Sequence, residues 1–241
     1  MEGRKNEVKT KKSEIKEIDL NLHKVIKSIC KISYGNKCAT GFLIKLYKDE
    51  KELYCLMTNE HVIKKKMIDS KEIINVKYNY ENKWIQIKLD SNKRFITHNS
   101  TLDFTIIEVR ELINEKYFLF PNMNNINYIN KRIYIPQFPD GLKLSVSEGK
   151  IINIKNYELI YDASTEDGSS GSPILLKDTT EVIGIHKQGN TRTREENYGT
   201  LINSINQLLQ INNEEKSYEN IFDGCSSLMK ENVLIKNSEI K

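Results

Sequence analysis

From about residue 23 onward the apolar positions of this chain fall into short runs rich in Ile, Val, Leu and Tyr, separated by charged or Asn-rich segments. In the first half the runs cover 25–32, 41–47, 53–57, 73–80, 84–89 and 104–109. In the second they cover 132–135, 142–146, 150–154, 158–161, 173–176, 182–186 and 198–202. Their length and β-branched content predict strands. Two sets of short strands, divided by the Asn-rich stretch 122–130 as the linker, predict an all-β double barrel, the first barrel over about 22–115 and the second over about 129–200. Ile202, Ile205, Leu208, Leu209 and Ile211 recur at helical spacing, which predicts a short amphipathic helix over about 202–211 packed on the second barrel.

The ends of the chain follow neither pattern. Residues 1–21 are dominated by Lys and Glu and bury too little apolar surface to offset the entropy of ordering, so they read as a charged, flexible tail. Residues 213–241 are again polar. They contain Gly224-Cys225-Ser226-Ser227-Leu228, which resembles a fragment of a leucine-rich repeat, and a single repeat cannot build a solenoid core. Residues 22–212 therefore form the expected folded domain.

Composition narrows the function classes. With 37 basic against 33 acidic residues the net charge is +4, a nearly balanced surface rather than one built to hold phosphate, so nucleic acid is not the expected partner. No run approaches the roughly 20 apolar residues of a membrane span, and the N-terminus is charged where a secretory signal would be apolar, so the sequence predicts no membrane partner and a cytoplasmic protein. Cys30, Cys38, Cys55 and Cys225 lack the C-x-x-C spacing of a metal site and are expected to be free thiols. If the charged turn 48–51 closes a hairpin, Cys55 falls opposite Ile44 rather than Cys38.

Three segments carry candidate chemistry. Gly168-Ser169-Ser170-Gly171-Ser172-Pro173 sets a serine in a glycine-bracketed turn that can expose its hydroxyl and aim backbone N–H groups at one point. Upstream, Thr58-Asn59-Glu60-His61-Val62 follows one apolar run, and Leu102-Asp103-Phe104 opens another. In the order His, Asp, Ser these motifs resemble the trypsin-like, chymotrypsin-fold serine proteases. In detail they are similar to the glutamyl endopeptidase branch, through Thr58 to Val62, through Asp162-Ala163-Ser164-Thr165-Glu166-Asp167-Gly168-Ser169-Ser170, and through Val182-Ile183-Gly184-Ile185-His186. The motifs span residues 58–189.

The resemblance implies two antiparallel six-stranded β-barrels with the active site between them, and a serine endopeptidase acting on proteins or peptides without metal or cofactor. It implies Ser170 as nucleophile, His61 as general base and then acid, and Asp103 as the carboxylate that fixes the imidazole. The N–H groups of Gly168 and Ser170 would form the oxyanion hole. The spacings of 42 and 67 residues suit His and Asp flanking the last strand of the first barrel and Ser in the second. His186 and Thr165 would bind the carboxylate of a P1 glutamate, with Gly189 keeping the pocket open and Lys187 to Gly189 pairing with extended substrate. Trypsin-type specificity needs an acid where Ser164 aligns, and zymogen activation by a buried ion pair needs an aspartate where Ser169 stands. Arg192 or Arg194 could supply positive charge to the pocket. The competing readings are a catalytically inactive protease-like peptide-binding module, and an interaction protein acting through its C-terminal repeat fragment.

Overall fold

The computed structural model of the chain describes residues 20–48, 51–80, 83–109, 114–124, 126–189 and 196–211. The charged N-terminal segment, Arg192, Arg194, Cys225 and the repeat-like fragment lie outside these described residues. The first sheet contains β1 (Ile29–Tyr34), β2 (Lys37–Lys48), β3 (Lys51–Thr58), β4 (Ile73–Tyr78), β5 (Trp84–Lys88), β6 (Ile96–Asn99) and β7 (Phe104–Glu108), hydrogen-bonded in the order β5-β4-β1-β2-β3-β7-β6. The second contains β8 (Arg132–Gln137), β9 (Ser145–Lys155), β10 (Glu158–Tyr161), β11 (Pro173–Leu176), β12 (Val182–Gly189) and β13 (Asn197–Leu201), which close as β10-β13-β12-β11-β8-β9. Among the described residues three α-helices accompany them: α1 (Leu20–Val25), α2 (Lys65–Asp69) and α3 (Ile202–Ile211).

The two-part all-β architecture is the one expected, with differences that have local causes. The first unit is a seven-stranded sheet whose outer strands β5 and β6 do not pair with each other, rather than a closed six-stranded barrel. Its unforeseen strand, β6, reads Ile-Thr-His-Asn and carries too little apolar character to register in a hydropathy pattern. The segments 142–146 and 150–154 are not two strands: 145–155 is continuous, and Gly149 lies inside it. A Cβ at Gly149 would come within 2.5 Å of the Ala163 backbone nitrogen, so this glycine permits a close approach between two segments rather than a turn. At the other end, 25–28 is helical rather than extended.

Three apolar clusters explain why central strands such as β2, β7 and β11 are buried on both faces. One fills the first sheet with Leu43, Leu56, Ile74 and Ile107, and another fills the closed barrel with Ile133, Leu159, Tyr161 and Ile183. The largest joins the two units, setting Phe42, Ile44, Met57 and Ile106 against Tyr134, Leu175 and Ile185. Strand β2 serves both clusters, so six consecutive residues, Ala39 to Ile44, are buried. Ile202, Ile205 and Leu209 of α3 enter the joint cluster, as their spacing predicts. The hairpin turn brings Cys55 opposite Ile44, and Cys30, Cys38 and Cys55 are free thiols; burial raises the pKa of Cys30 and Cys55 and makes them poor nucleophiles. The segment after residue 121 packs firmly: Asn122 is buried, donates to Glu181 and accepts from the Tyr128 hydroxyl at 2.8 Å.

Candidate active site

The end of β3 delivers His61 and the start of β7 delivers Asp103, because Thr58 pairs with Thr105 across these neighbouring strands. Asp103 adopts a left-handed backbone (φ 51°), a conformation that Asp tolerates better than most residues. Three hydrogen bonds fix the pair. The backbone N–H of His61 donates to Asp103 Oδ1 at 3.0 Å, His61 Nδ1 lies 2.8 Å from Asp103 Oδ2, and the buried Asn59 amide donates to the Asp103 carbonyl at 2.8 Å. A carboxylate can only accept, so Nδ1 carries the proton and Nε2 presents its lone pair. Asp103 is largely covered while the His61 side chain is about half exposed, leaving the ring open to the cleft. From the second unit, Thr200 donates to the Leu102 carbonyl at 2.7 Å and ties the Asp103 turn to β13.

Ser170 sits between two glycines in left-handed conformation, Gly168 (φ 87°) and Gly171 (φ 86°). Neither position has room for a side chain: a Cβ at Gly171 would lie 2.1 Å from the Thr40 carbonyl, and one at Gly168 would lie 2.5 Å from that of Phe138. Around the turn the N–H groups of Ser169, Gly171 and Ser172 donate to the carbonyls of Glu166, His186 and Ser169. Those of Gly168 and Ser170 donate to no acceptor among the described residues. The buried Ser169 closes the turn locally, its Oγ accepting from the Glu166 N–H at 3.1 Å.

Thr40, on β2, holds this turn from the other unit. Its N–H donates to the Ser170 carbonyl at 3.0 Å, its hydroxyl donates to the Gly168 carbonyl at 2.8 Å, and the same hydroxyl accepts from the Phe138 N–H at 3.0 Å. In the sequence it carries no motif and stands just before the apolar run 41–47. His61 and Ser170 line one cleft of about 580 Å³, together with Gly168, Cys38, Gly141 and Asp167. Ser170 Oγ makes a long contact of 3.4 Å to the Lys187 carbonyl, and no hydrogen bond joins it to His61 among the described residues.

The residues expected to form a pocket fall into two adjoining groups. Thr165 and Gly189 meet at Asn197, a residue the motifs did not single out. The Thr165 hydroxyl donates to Asn197 Oδ1 at 2.6 Å, a Cβ at Gly189 would lie 2.8 Å from the same oxygen, and Asn197 Nδ2 donates to the Ala163 carbonyl at 2.7 Å. His186, three residues before Gly189 on β12, is buried and hydrogen-bonds through Nδ1 to the Tyr161 hydroxyl. Burial, with the nearby His61 imidazole adding to it, pushes the His186 pKa down to about 3, against the smaller opposing effect of Asp103. The ring is neutral at physiological pH, so what it can offer a carboxylate is an uncharged N–H. Burial also raises the Tyr161 pKa, so this tyrosine stays protonated. Its hydroxyl proton has no other acceptor among the described residues and is donated to Nδ1, which leaves a proton on Nε2. Among the described residues no group of His, Cys, Asp or Glu could hold a metal ion.

Comparison with known proteins agrees with this architecture. Residues 39–185 match the model of the trypsin-like peptidase domain family. A stretch of 92 residues is 35% identical to a glutamyl endopeptidase of Staphylococcus epidermidis; it covers 37% of this chain and only 28% of that relative's length. Among solved structures, a serine endoprotease from Yersinia pestis superposes with a TM-score of 0.62 at 14% identity, over 78% of this chain and 63% of that one. The active form of a protease from M. tuberculosis superposes with a TM-score of 0.61 at 16% identity, over 78% of this chain and 82% of that one.

Proposed function

The chain belongs to the trypsin-like peptidase family, and from that premise we propose that it is a serine endopeptidase in which Ser170, His61 and Asp103 form the catalytic triad. The reading rests above all on the fixed His61–Asp103 pair, facing the same cleft as a serine flanked by two unused backbone N–H groups. Ser170 Oγ exchanges its weak contact with Lys187 for His61 Nε2 when a peptide enters, since bonds of this kind are commonly loose in a free enzyme. His61 removes the proton as Oγ attacks the scissile carbonyl. Asp103 stabilises the imidazolium and holds its tautomer, and the N–H groups of Gly168 and Ser170 receive the oxyanion. His61 then protonates the leaving amine, and water, activated by the same ring, hydrolyses the acyl-enzyme. The exposed end of β12, Gln188 and Gly189, offers backbone to an extended substrate.

For P1 we propose glutamate, received beside Thr165, Gly189 and His186 Nε2–H; the partial match to a glutamyl endopeptidase supports this choice. A neutral His186 changes how the preference works. The donor is an uncharged N–H, and a glutamate that gains charge assistance must bring a proton to the ring. The advantage of Glu over Gln therefore grows as pH falls. The Ser170 assignment is tested by a fluorophosphonate probe that labels the intact chain but not Ser170→Ala. The P1 assignment is tested by kcat/KM for matched Glu and Gln peptides between pH 5 and 8: equal, pH-independent values remove it and leave the triad untouched.

A further inference from the structure

A second recess, of about 270 Å³, opens between the first sheet and the 138–144 loop of the second unit. Its wall is a cross-strand row: Lys31 on β1 is the register partner of Lys77 on β4, and Lys77 is the register partner of Trp84 on β5. The loop adds Phe138, Leu142 and Lys143. Like charges placed directly across a ladder are destabilising, and a third lysine approaches the same space. The ion pairs of the described residues engage other lysines, Lys45, Lys71, Lys177 and Lys187, and no described carboxylate pairs with Lys31, Lys77 or Lys143. Lys31 instead donates to the Gly141 carbonyl. The apolar part is equally unpartnered. Leu142 is 71% exposed, more than any other large hydrophobic residue described, and Trp84, the only tryptophan of the chain, is 44% exposed.

The recess adjoins the catalytic cleft across the 138–144 loop. The same loop turns Asp140 and Gly141 toward His61 and Ser170, and Phe138, Leu142 and Lys143 toward the three-lysine recess. Thr165, His186, Gly189 and Asn197 line neither space, so the recess is separate from the proposed P1 pocket and is open to the part of a substrate that the P1 pocket does not take. The acids on that route, Asp140 and Asp167, belong to the cleft itself and not to the recess.

We infer that this recess is a substrate-recognition subsite for an acidic peptide segment with an apolar side chain, lying C-terminal to the scissile bond. Carboxylates of the segment meet Lys31, Lys77 and Lys143, and its apolar side chain covers Trp84 and Leu142. The position relative to the scissile bond rests on Ser170 being the nucleophile; the binding itself does not, which makes the two separable. Because Trp84 is the sole indole, its emission reports occupancy directly.

The test uses the full chain carrying Ser170→Ala, titrated with an extended peptide whose leaving-group side reads as alternating Glu and Leu, with a Gln/Leu peptide of the same length as control. The acidic peptide should shift Trp84 emission and bind about tenfold tighter than the control at low salt, as expected for two or three exposed charge pairs acting together. The difference should vanish in high salt. Lys77→Gln with Lys143→Gln should remove it, and in the active enzyme the same pair should raise KM for the acidic substrate while leaving its kcat and short substrates unchanged. An unchanged emission, equal binding of both peptides, an indifferent double variant, or equal competition by a single-stranded oligonucleotide each overturns the inference. Trp84-reported binding without any cleavage by the wild-type chain would leave the subsite standing and remove the peptidase reading.

Discussion

Replacing Thr40 by Val keeps the shape of the side chain and deletes one hydroxyl that two parts of the second unit share. In the native structure that hydroxyl is fully buried, donates to the Gly168 carbonyl at 2.8 Å and accepts from the Phe138 N–H at 3.0 Å. Valine leaves a buried donor and a part-buried acceptor without partners, at about 1–3 kcal/mol each, and returns up to about 1 kcal/mol through its additional apolar methyl. A net loss of about 1–6 kcal/mol is expected in urea unfolding. The kinetic effect has a separate origin. With its carbonyl released, the Gly168–Ser169 peptide between the two oxyanion donors is free to shift, and the Gly168 N–H loses its fixed aim into the cleft. Full loss of one oxyanion donor costs about 10²–10³ in kcat, so a part-time loss is expected to lower kcat by about tenfold or more with KM nearly unchanged. Thr40→Ser retains the hydroxyl and should recover most of kcat. A well-folded Thr40→Val enzyme with kcat within about twofold of wild type would refute the idea that the first sheet holds the oxyanion turn in place.

Ser170→Ala, His61→Ala and Asp103→Asn are each expected to lower kcat by about three to six powers of ten, and double variants should be little worse than singles because the three act as a unit. Near-wild-type turnover in purified, folded Ser170→Ala removes the mechanism. His186 sets an acid limit on stability. Its folded pKa, about 3, lies below the ordinary 6.5, so its contribution is complete above 6.5 and is lost as pH falls toward 3. Relative to His186→Gln, the wild-type chain should lose about 1.4 kcal/mol per pH unit through that window in denaturant titrations, and a parallel pH dependence of the two proteins contradicts the buried neutral ring. Gly171→Ala places a methyl 2.1 Å from the Thr40 carbonyl and should unfold the catalytic turn or the whole protein, seen as loss of both probe labelling and the cooperative unfolding transition.

Local chemistry carried most of what was legible in the sequence. Apolar runs marked the strands because β-branched residues fill a pleated face, and the α3 spacing marked its buried stripe, Ile202, Ile205 and Leu209. Where the pattern failed, a tertiary contact had replaced the local rule. Gly149 lies in the gap between the runs 142–146 and 150–154, where its missing side chain makes room for Ala163 on a separate segment. Strand β6 is polar because its residues border the Asp103 turn, where Asn99 Oδ1 accepts from the Leu102 N–H at 2.8 Å.

The same distinction runs through the site. His61, Asp103 and Ser170 announce themselves because each is embedded in a short motif that builds its own turn. The residues that orient them do not. Thr40 and Thr200 are threonines in strands, unremarked by composition, and each crosses from one unit to the catalytic turn of the other: Thr40 to Gly168 and Ser170, Thr200 to Leu102 beside Asp103. The two ties run in opposite directions, so neither unit completes its half of the site alone, and the joint cluster around Phe42, Tyr134 and Ile185 must form before either turn is fixed. The distance from His61 to Ser170 is thus a property of the packed interface, and substitutions that loosen that interface should act on kcat before they act on substrate binding.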